Sequence, residues 1–248
     1  PQVNFSVANV VGSVIFNITL VLGVVFMIAK AMNPKRNLFA QDSAWVVVPV
    51  VMFLVMIQDG VIGRIDGILY LLLMISFLVY LFTDSKDDLA GEVNDELATE
   101  KFNWGKTLFL LAIGFTLTIG GANFVVESGT SLAREFGVSE WIIGIFLISL
   151  GTSLPELVVS LVAVKKGNAE MSIGNIIGSN VANFSMVLGA ASLVNPLTVG
   201  LRDTSFDIMI MVAASAVLVF ILANKLYNKA GAIFLFMLLG LFIQNTLA

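Results

Sequence analysis

Eight long apolar runs separated by short polar segments constrain this chain more than any other feature of its sequence. They occupy roughly residues 5–30, 43–58, 65–83, 106–131, 139–164, 171–194, 204–223 and 230–246. Most approach about 20 residues, the length of an α-helix that crosses the hydrocarbon core of a bilayer. Strands of a membrane β-barrel would instead be segments of about 10 residues with alternating polarity. Since 58% of the residues are hydrophobic and 12% are charged, the chain is predicted to be an all-α polytopic membrane protein surrounded by the lipid bilayer.

The positions of the basic residues predict how these helices are oriented. Lysine and arginine accumulate in cytoplasmic loops, and eight spans would place both termini on one side of the membrane. Ten of the 13 basic residues fall in the connections opposite to the termini: Lys30, Lys35, Arg36, Lys86, Lys101, Lys106, Lys165, Lys166, Lys225 and Lys229. We therefore expect an integral protein of the plasma (cell inner) membrane, with both termini outside and the 84–105 loop in the cytoplasm.

The 84–105 loop is rich in acidic side chains. It contains Asp84, Asp87, Asp88, Glu92, Asp95, Glu96 and Glu100. Such a run of charge is typical of a solvated linker, and this interpretation is favoured over a calcium-sensing surface. The net charge of −4 comes largely from this loop, and no nucleic-acid partner is expected.

A short motif occurs twice in the chain. Ala8-Asn9-Val10-Val11-Gly12-Ser13 leads to Asn17, and Gly174-Asn175-Ile176-Ile177-Gly178-Ser179 leads to Asn183. The offset is constant, because 179 − 13 and 183 − 17 both equal 166. In the predicted topology the two copies cross the membrane in opposite directions. The halves are therefore predicted to be inverted-topology repeats, an architecture of secondary transporters in which the substrate binds near the bilayer midplane.

The two predicted repeats differ in length. Residues 1–83 hold three helices, 84–105 form the linker, and 106–248 hold five helices. The runs at 106–131 and 139–164 have no counterparts before the first motif. We therefore expect eight of ten helices in this chain, with the first two helices belonging to a segment that precedes Pro1.

Glu156 lies inside an apolar stretch and is the strongest candidate for a functional side chain. A carboxylate at membrane depth is costly unless it faces a partner or a cavity. Pro155 removes a backbone donor and partly frees carbonyl groups from Ser149 onward, while Thr152 and Ser153 add hydroxyl oxygens. An oxygen-rich cluster of this kind suits hard cations such as Na⁺ and Ca²⁺. A proline kink beside a satisfied buried acid is the alternative interpretation.

Two serine–asparagine pairs are candidate partners for this cluster. Ser13 and Asn17, like Ser179 and Asn183, are four residues apart and therefore share one helix face. Alone, such a pair is more typical of interhelical hydrogen bonding than of ion binding. Because the pair recurs in both inverted halves, we interpret it as a set of neutral ligands that converge on Glu156.

These motifs resemble those of a known transporter family, the sodium/calcium exchangers of the cation/calcium antiporter superfamily. The second α-repeat of that family is similar to Gly151-Thr152-Ser153-Leu154-Pro155-Glu156 followed by Gly174-Asn175-x-x-Gly178-Ser179-Asn180-x-x-Asn183. The later part of the first α-repeat is similar to Ala8-Asn9-x-x-Gly12-Ser13-Val14-x-x-Asn17, with Val14 in place of the usual asparagine. The resemblance implies ten helices and exchange of Na⁺ for Ca²⁺ by alternating access.

The resemblance also implies roles for individual residues. Glu156 would be a bidentate Ca²⁺ ligand that also contacts Na⁺. The other implied ligands are Thr152, Ser153, the carbonyl of Ser149, Ser13, Asn17, Ser179 and Asn183. One departure is that the Gly-Thr-Ser-x-Pro-Glu segment of the first repeat, with its second glutamate, is absent from this chain.

The sequence therefore predicts a transporter rather than an enzyme, with Na⁺ and Ca²⁺ as transported substrates and no cofactor. An H⁺/Ca²⁺ antiporter, in which Glu156 carries protons, is one alternative. A transport-inactive eight-helix fragment or subunit is another. An intramembrane hydrolase with Ser153 as its nucleophile is disfavoured, because the chain contains no histidine to activate a serine.

Overall fold

The computed structural model describes residues 3–29, 34, 37–92, 104–138 and 142–247. Helices dominate this part of the chain. Their bounds are α1 (3–28), α2 (38–59), α3 (Arg64–Glu92), α4 (Trp104–Glu135), α5 (143–165), α6 (169–194), α7 (Leu201–Asn224) and α8 (Lys229–Leu247). Eight of these helices are long and apolar enough to cross a membrane, and they correspond one for one to the predicted runs. The predicted all-α polytopic architecture is confirmed.

The segment predicted as an acidic linker is only partly described. Helix α3 continues to Glu92 and α4 begins at Trp104, so helix occupies both ends of the 84–105 segment. Residues 93–103 lie outside the described residues, as do Pro1 and the basic residues Lys30, Lys35 and Arg36.

Two short strands show that the halves run in opposite directions. Strand β1 (Val61–Ile62), between α2 and α3, pairs antiparallel with β2 (Leu197–Thr198), between α6 and α7. The two connections therefore lie at the same face of the helix bundle. Two crossings separate the start of α1 from β1, so α1 begins at this face, whereas α6 ends there. The predicted inverted topology follows from this pairing.

Glycines at equivalent positions let helices of opposite halves approach closely. Gly23 of α1 and Gly189 of α6 are separated by the repeat offset, since 189 − 23 = 166. A Cβ atom on Gly23 would lie 2.7 Å from the ring of Phe236 on α8. A Cβ atom on Gly189 would lie 3.2 Å from the carbonyl oxygen of Gly67 on α3. Each motif helix thus packs against the last helix of the other half.

Helix α1 lies in the interior of the molecule. Of the most apolar window of α1, 78% is buried, whereas none of the corresponding window of α4 is buried. Three aromatic rings from different helices pack against one another: Phe16 of α1, Phe146 of α5 and Phe242 of α8. Helix α4 exposes apolar side chains, as a lipid-facing helix should. Ser13, Asn17 and Thr19 of α1 are consequently held in a protein interior rather than in lipid.

Candidate cation-binding site

Helix α5 supplies the carboxylate and most of the hydroxyl groups of the site. Its α-helical part, Ser149–Lys165, contains Pro155. Because proline has no N–H group, the carbonyl of Gly151, four residues earlier, receives no helical hydrogen bond from it. Ser149 and Ser153 are buried, whereas Thr152 is exposed. The turn before Glu156 therefore presents hydroxyl and backbone oxygens together.

Glu156 uses only one of its two carboxylate oxygens for hydrogen bonding within the described residues. The Ser179 hydroxyl of α6 donates to Oε1 at 2.8 Å. The other oxygen, Oε2, is buried and has no hydrogen-bond partner among the described residues. The carboxylate is thus held in place at one oxygen, while the other is available to a ligand.

A second set of contacts joins α5 to α1. The hydroxyl oxygens of Ser13 and Thr152 are 2.9 Å apart. Thr152 donates to the carbonyl of Ser149 at 3.0 Å, so its hydroxyl can only accept from Ser13. The Ser149 hydroxyl donates to the carbonyl of Asn9 at 3.0 Å. Residues about 140 positions apart in the chain are joined here, as the two-fold placement of the motifs predicts.

Asn17 connects α1 to α6 through its amide nitrogen. Its Nδ2 group donates to Oδ1 of Asn180 at 3.0 Å and approaches Oγ of Ser179 at 3.5 Å. Both N–H hydrogens of the amide therefore point toward α6. The amide oxygen of Asn17 is buried and has no partner among the described residues, so it remains a free acceptor.

Unpartnered buried oxygens are concentrated at this place. Six buried side-chain oxygens in the described part of the chain have no hydrogen-bond partner, and four of them belong to Asn9, Asn17, Ser153 and Glu156 on α1 and α5. A buried polar group without a partner costs about 1–3 kcal/mol. A cation would satisfy several of these acceptors at once, because hard cations bind carboxylate, amide and hydroxyl oxygens.

The two motif helices change their winding at equivalent positions. A π-helical turn begins at Asn17 and extends to Val21, and another extends from Asn183 to Leu188. The offset between the two starting asparagines is again 183 − 17 = 166. Turns of this kind inside α-helices are frequent at functional sites, since they rotate the side chains that follow.

The structure brings most of the predicted ligands together. Hydrogen bonds join six of them in two connected groups: Ser13, Thr152 and Ser149 in one, and Asn17, Ser179 and Glu156 in the other. Ser153 follows Thr152 directly and keeps its hydroxyl unpartnered within the described chain. Asn183 is half-buried, and among the described residues no side-chain hydrogen bond joins it to either group.

Two asparagines of the site escaped prediction. Asn180 follows Ser179 directly, so helical geometry places it about 100° around α6 from the predicted ligand face. Asn9 lies one turn before Ser13 on the same face of α1, and this spacing could have identified it. Within the described residues no group of three acidic, histidine or cysteine side chains is placed to hold a metal ion, so Glu156 is accompanied mainly by neutral oxygens.

Comparison with known proteins identifies the family. The family model described as sodium/calcium exchanger protein matches residues 1–83 and 106–247. An uncharacterized membrane protein of Methanocaldococcus jannaschii, MJ0091, is 33% identical over 93% of this chain and 73% of its own length. The sodium/calcium exchanger MaX1 of Methanosarcina acetivorans is 34% identical over 49% of this chain and 35% of its own.

A solved structure agrees with this assignment. The chain is similar to the sodium-calcium exchanger NCX_Mj soaked with Na⁺ and Sr²⁺, with a TM-score of 0.77 and 29% identity. The similarity covers 98% of this chain and 76% of that one. The family match spans nearly all of the eight membrane-crossing helices. The chain therefore belongs to the sodium/calcium exchanger protein family, whose members are transporters rather than enzymes.

Proposed function

We propose that this cation antiporter exchanges Na⁺ for Ca²⁺ by alternating access, with both ions bound in turn by the oxygens around Glu156. Ca²⁺ and Na⁺ are the transported substrates, not resident cofactors. The observation that carries the proposal is the free Oε2 atom of Glu156, a buried carboxylate oxygen without a partner among the described residues. A buried charge normally has a partner, and a transported cation would be that partner.

Neutral oxygens complete the proposed site. The amide oxygen of Asn17 and the hydroxyl of Ser153 are buried acceptors that no described group satisfies. The hydroxyls of Ser13, Thr152 and Ser179 already take part in hydrogen bonds and keep lone pairs for a cation. Ca²⁺ takes about 6–8 oxygen ligands at short distance, and these residues would contribute a large share of them. Asn183, implied as a ligand by the family motif, is proposed as a weaker participant.

The same contacts would couple ion binding to the movement of the halves. Ser13 and Asn17 of the first half reach Thr152, Ser179 and Asn180 of the second half at the site. A cation that binds here therefore contacts both halves and changes the contacts between them. In inverted-repeat transporters, motion of one repeat against the other opens the site to alternate sides.

Ion fluxes in reconstituted vesicles test the coupling ion. Vesicles loaded with Na⁺ and diluted into medium containing ⁴⁵Ca²⁺ should accumulate Ca²⁺, and replacing internal Na⁺ by choline should abolish uptake. A pH gradient in the absence of Na⁺ should give no uptake. Accumulation that follows the pH gradient in choline would instead establish H⁺/Ca²⁺ exchange and refute Na⁺ coupling.

We also propose that the chain lies in the plasma (cell inner) membrane with the β1–β2 face outside. The basic residues support this orientation, because Lys165 and Lys166 lie at the connection between α5 and α6, and α6 crosses from there to the face of β1 and β2. The chain has no cysteine, so single-cysteine variants can be labelled cleanly. A membrane-impermeant maleimide applied to intact cells should label Gln58→Cys but not Lys166→Cys. Labelling of Lys166→Cys alone would reverse the proposed orientation.

A further inference from the structure

We propose that Asn180 is a positioning residue that holds the amide of Asn17 with its oxygen turned toward the bound cation. The inference rests on the proposed function, because it assigns Asn180 a part in ion binding at the same site. Asn180 does not need to touch the ion for this role. It acts through Asn17.

The contact between the two amides is buried and short. Asn17 is 1% exposed and Asn180 is 7% exposed, and Nδ2 of Asn17 lies 3.0 Å from Oδ1 of Asn180. The second hydrogen of the same amide points toward Ser179, whose Oγ is 3.5 Å away. The oxygen of Asn17 is left on the other side of the amide, buried and without a partner among the described residues.

The charge on Glu156 sets the direction of this chain of hydrogen bonds. A carboxylate only accepts hydrogen bonds, so the single hydroxyl hydrogen of Ser179 is used on Glu156. Ser179 can then only accept from Asn17, which requires the NH₂ group of Asn17 to face α6. Asn180 supplies the acceptor for the remaining hydrogen.

This arrangement matters because an amide side chain has nearly the same shape in both orientations. A rotation of about 180° exchanges its oxygen and its NH₂ group. If Asn17 rotated, its oxygen would face the oxygen of Asn180, and its NH₂ group would point where a cation should bind. Asn180 therefore makes Asn17 a directional oxygen ligand.

The other half of the molecule carries no equivalent of this amide. The counterpart of Asn180 is Val14, since 180 − 14 = 166. Both residues line the same small cavity between α1, α2, α6 and α7, so they meet near the crossing of the motif helices. A valine cannot accept a hydrogen bond. Among the described residues, Asn17 is consequently held by a neighbouring amide and Asn183 is not.

A double-mutant cycle on Ca²⁺ affinity tests the proposal. Equilibrium binding of ⁴⁵Ca²⁺ to the purified protein would be measured for wild type, N180A, N17A and the double variant. N180A should weaken affinity about fivefold, the effect of one lost hydrogen bond of about 1 kcal/mol. In the N17A background the same substitution should have no further effect, because coupled residues are not additive. Wild-type affinity in N180A, or independent and multiplicative effects, would overturn the proposal.

Two further variants separate positioning from packing. N180D keeps the acceptor and the shape and adds a negative charge, so it should bind Ca²⁺ at least as tightly as the wild type. A loss of affinity in N180D as large as that in N180A would also overturn the proposal, because the acceptor is still present. I177V removes a methylene from the same cavity lining and should bind Ca²⁺ like wild type.

Folding and function can be read separately. The unfolding temperature of each variant without Ca²⁺ reports its stability, and N180L, close to asparagine in size, replaces N180A if the smaller side chain prevents folding. Absence of saturable Ca²⁺ binding in the wild type would refute the proposed function itself. Normal wild-type binding with unchanged N180A and N180L would refute only the role of Asn180.

Discussion

Helices α1 and α6 carry the same motif but meet different partners. Each has a serine and an asparagine four residues apart, and each has a π-helical turn that begins at the asparagine. Ser13 contacts the neutral hydroxyl of Thr152, whereas Ser179 donates to the carboxylate of Glu156. Asn17 is held by an amide of the other half, and in the described part of the chain Asn183 has no such bond.

The difference teaches that a repeated motif sets the geometry of a site without making its two halves chemically equal. The backbones of α1 and α6 are related closely enough that winding and glycine contacts recur at the same offset. The neighbours of each motif decide what its side chains do. A charged neighbour orients Ser179. Asn180 gives Asn17 a hydrogen-bond partner, whereas the equivalent position in the other half is Val14, which cannot bond to Asn183.

Removing the charge of Glu156 should have the largest effect. E156Q should weaken Ca²⁺ binding roughly 100-fold, since loss of one member of a buried charge pair costs about 2–5 kcal/mol. The amide would also turn N–H hydrogens toward the cation. Equilibrium binding of ⁴⁵Ca²⁺ measures the effect. The matched control is E127Q on α4, where the glutamate is exposed; equal losses in both variants would contradict the site.

Filling the two glycine contacts should distinguish the α3–α6 crossing from the α1–α8 crossing. A Cβ atom on Gly67 would lie 2.7 Å from the backbone carbonyl oxygen of Gly189, whereas the three atoms nearest to one on Gly23 all belong to the side-chain ring of Phe236. G67A should destabilise the protein by about 2 kcal/mol, within the range of about 1–3 kcal/mol for overpacked interiors, and G23A should cost less than about 1 kcal/mol because a side-chain ring can shift where a backbone carbonyl cannot.

Thermal unfolding in detergent measures this difference. G240A is the control, because a Cβ atom on Gly240 meets no atom within 4 Å. A larger shift for G23A than for G67A would show that the two crossings are not ordered as their atomic neighbours indicate.

The two serines should differ because only one contacts a charge. S179A should weaken Ca²⁺ binding about tenfold and S13A about threefold, since hydrogen bonds to charged groups contribute about 1.5–3 kcal/mol and neutral ones about 0.5–1.5 kcal/mol. Binding isotherms of the two variants, measured side by side, test the order. Equal losses would mean that Ser13 and Ser179 serve the cation in the same way.

The two asparagines should show the smallest difference in affinity. N17A should weaken Ca²⁺ binding about fivefold and N183A no more than about twofold, because an oriented ligand saves the ordering cost of binding. The same binding assay applies. A loss in N183A as large as in N17A would show that the cation itself orients Asn183, and that the asymmetry of the hydrogen bonds has no effect on binding.

The fold was largely predictable from the sequence. Hydropathy runs predict helices that cross a bilayer, because an exposed backbone in lipid must satisfy its hydrogen bonds within the helix. The order of the predicted spans places the two motif copies in opposite directions, and the β1–β2 pairing then demonstrated this inversion. Contacts such as Gly67 with Gly189 were not predictable, since a Cβ atom added to several other described glycines would meet no atom within 4 Å beyond the local backbone.

The candidate site was predictable in its residues but not in its bonding. Glu156 in an apolar run, with hydroxyl residues one turn before it, already indicated an oxygen-rich centre. Spacing along one helix cannot show that α1 crosses α6 so that Asn17 lies near both Ser179 and Asn180. Asn180 was therefore not predicted as a residue of the site, although it belongs to the quoted motif.

The sequence by itself determined the eight spans, their alternating directions and the oxygen-bearing side chains that membrane depth makes costly. These are properties of single helices, and local composition decides them. Only the tertiary structure decided which oxygens are used and which stay free: Oε2 of Glu156 and Oδ1 of Asn17 have no partner among the described residues, while their companion atoms do. That choice depends on crossings between residues more than 20 and more than 160 positions apart, where distance in space, not order in the chain, determines the chemistry.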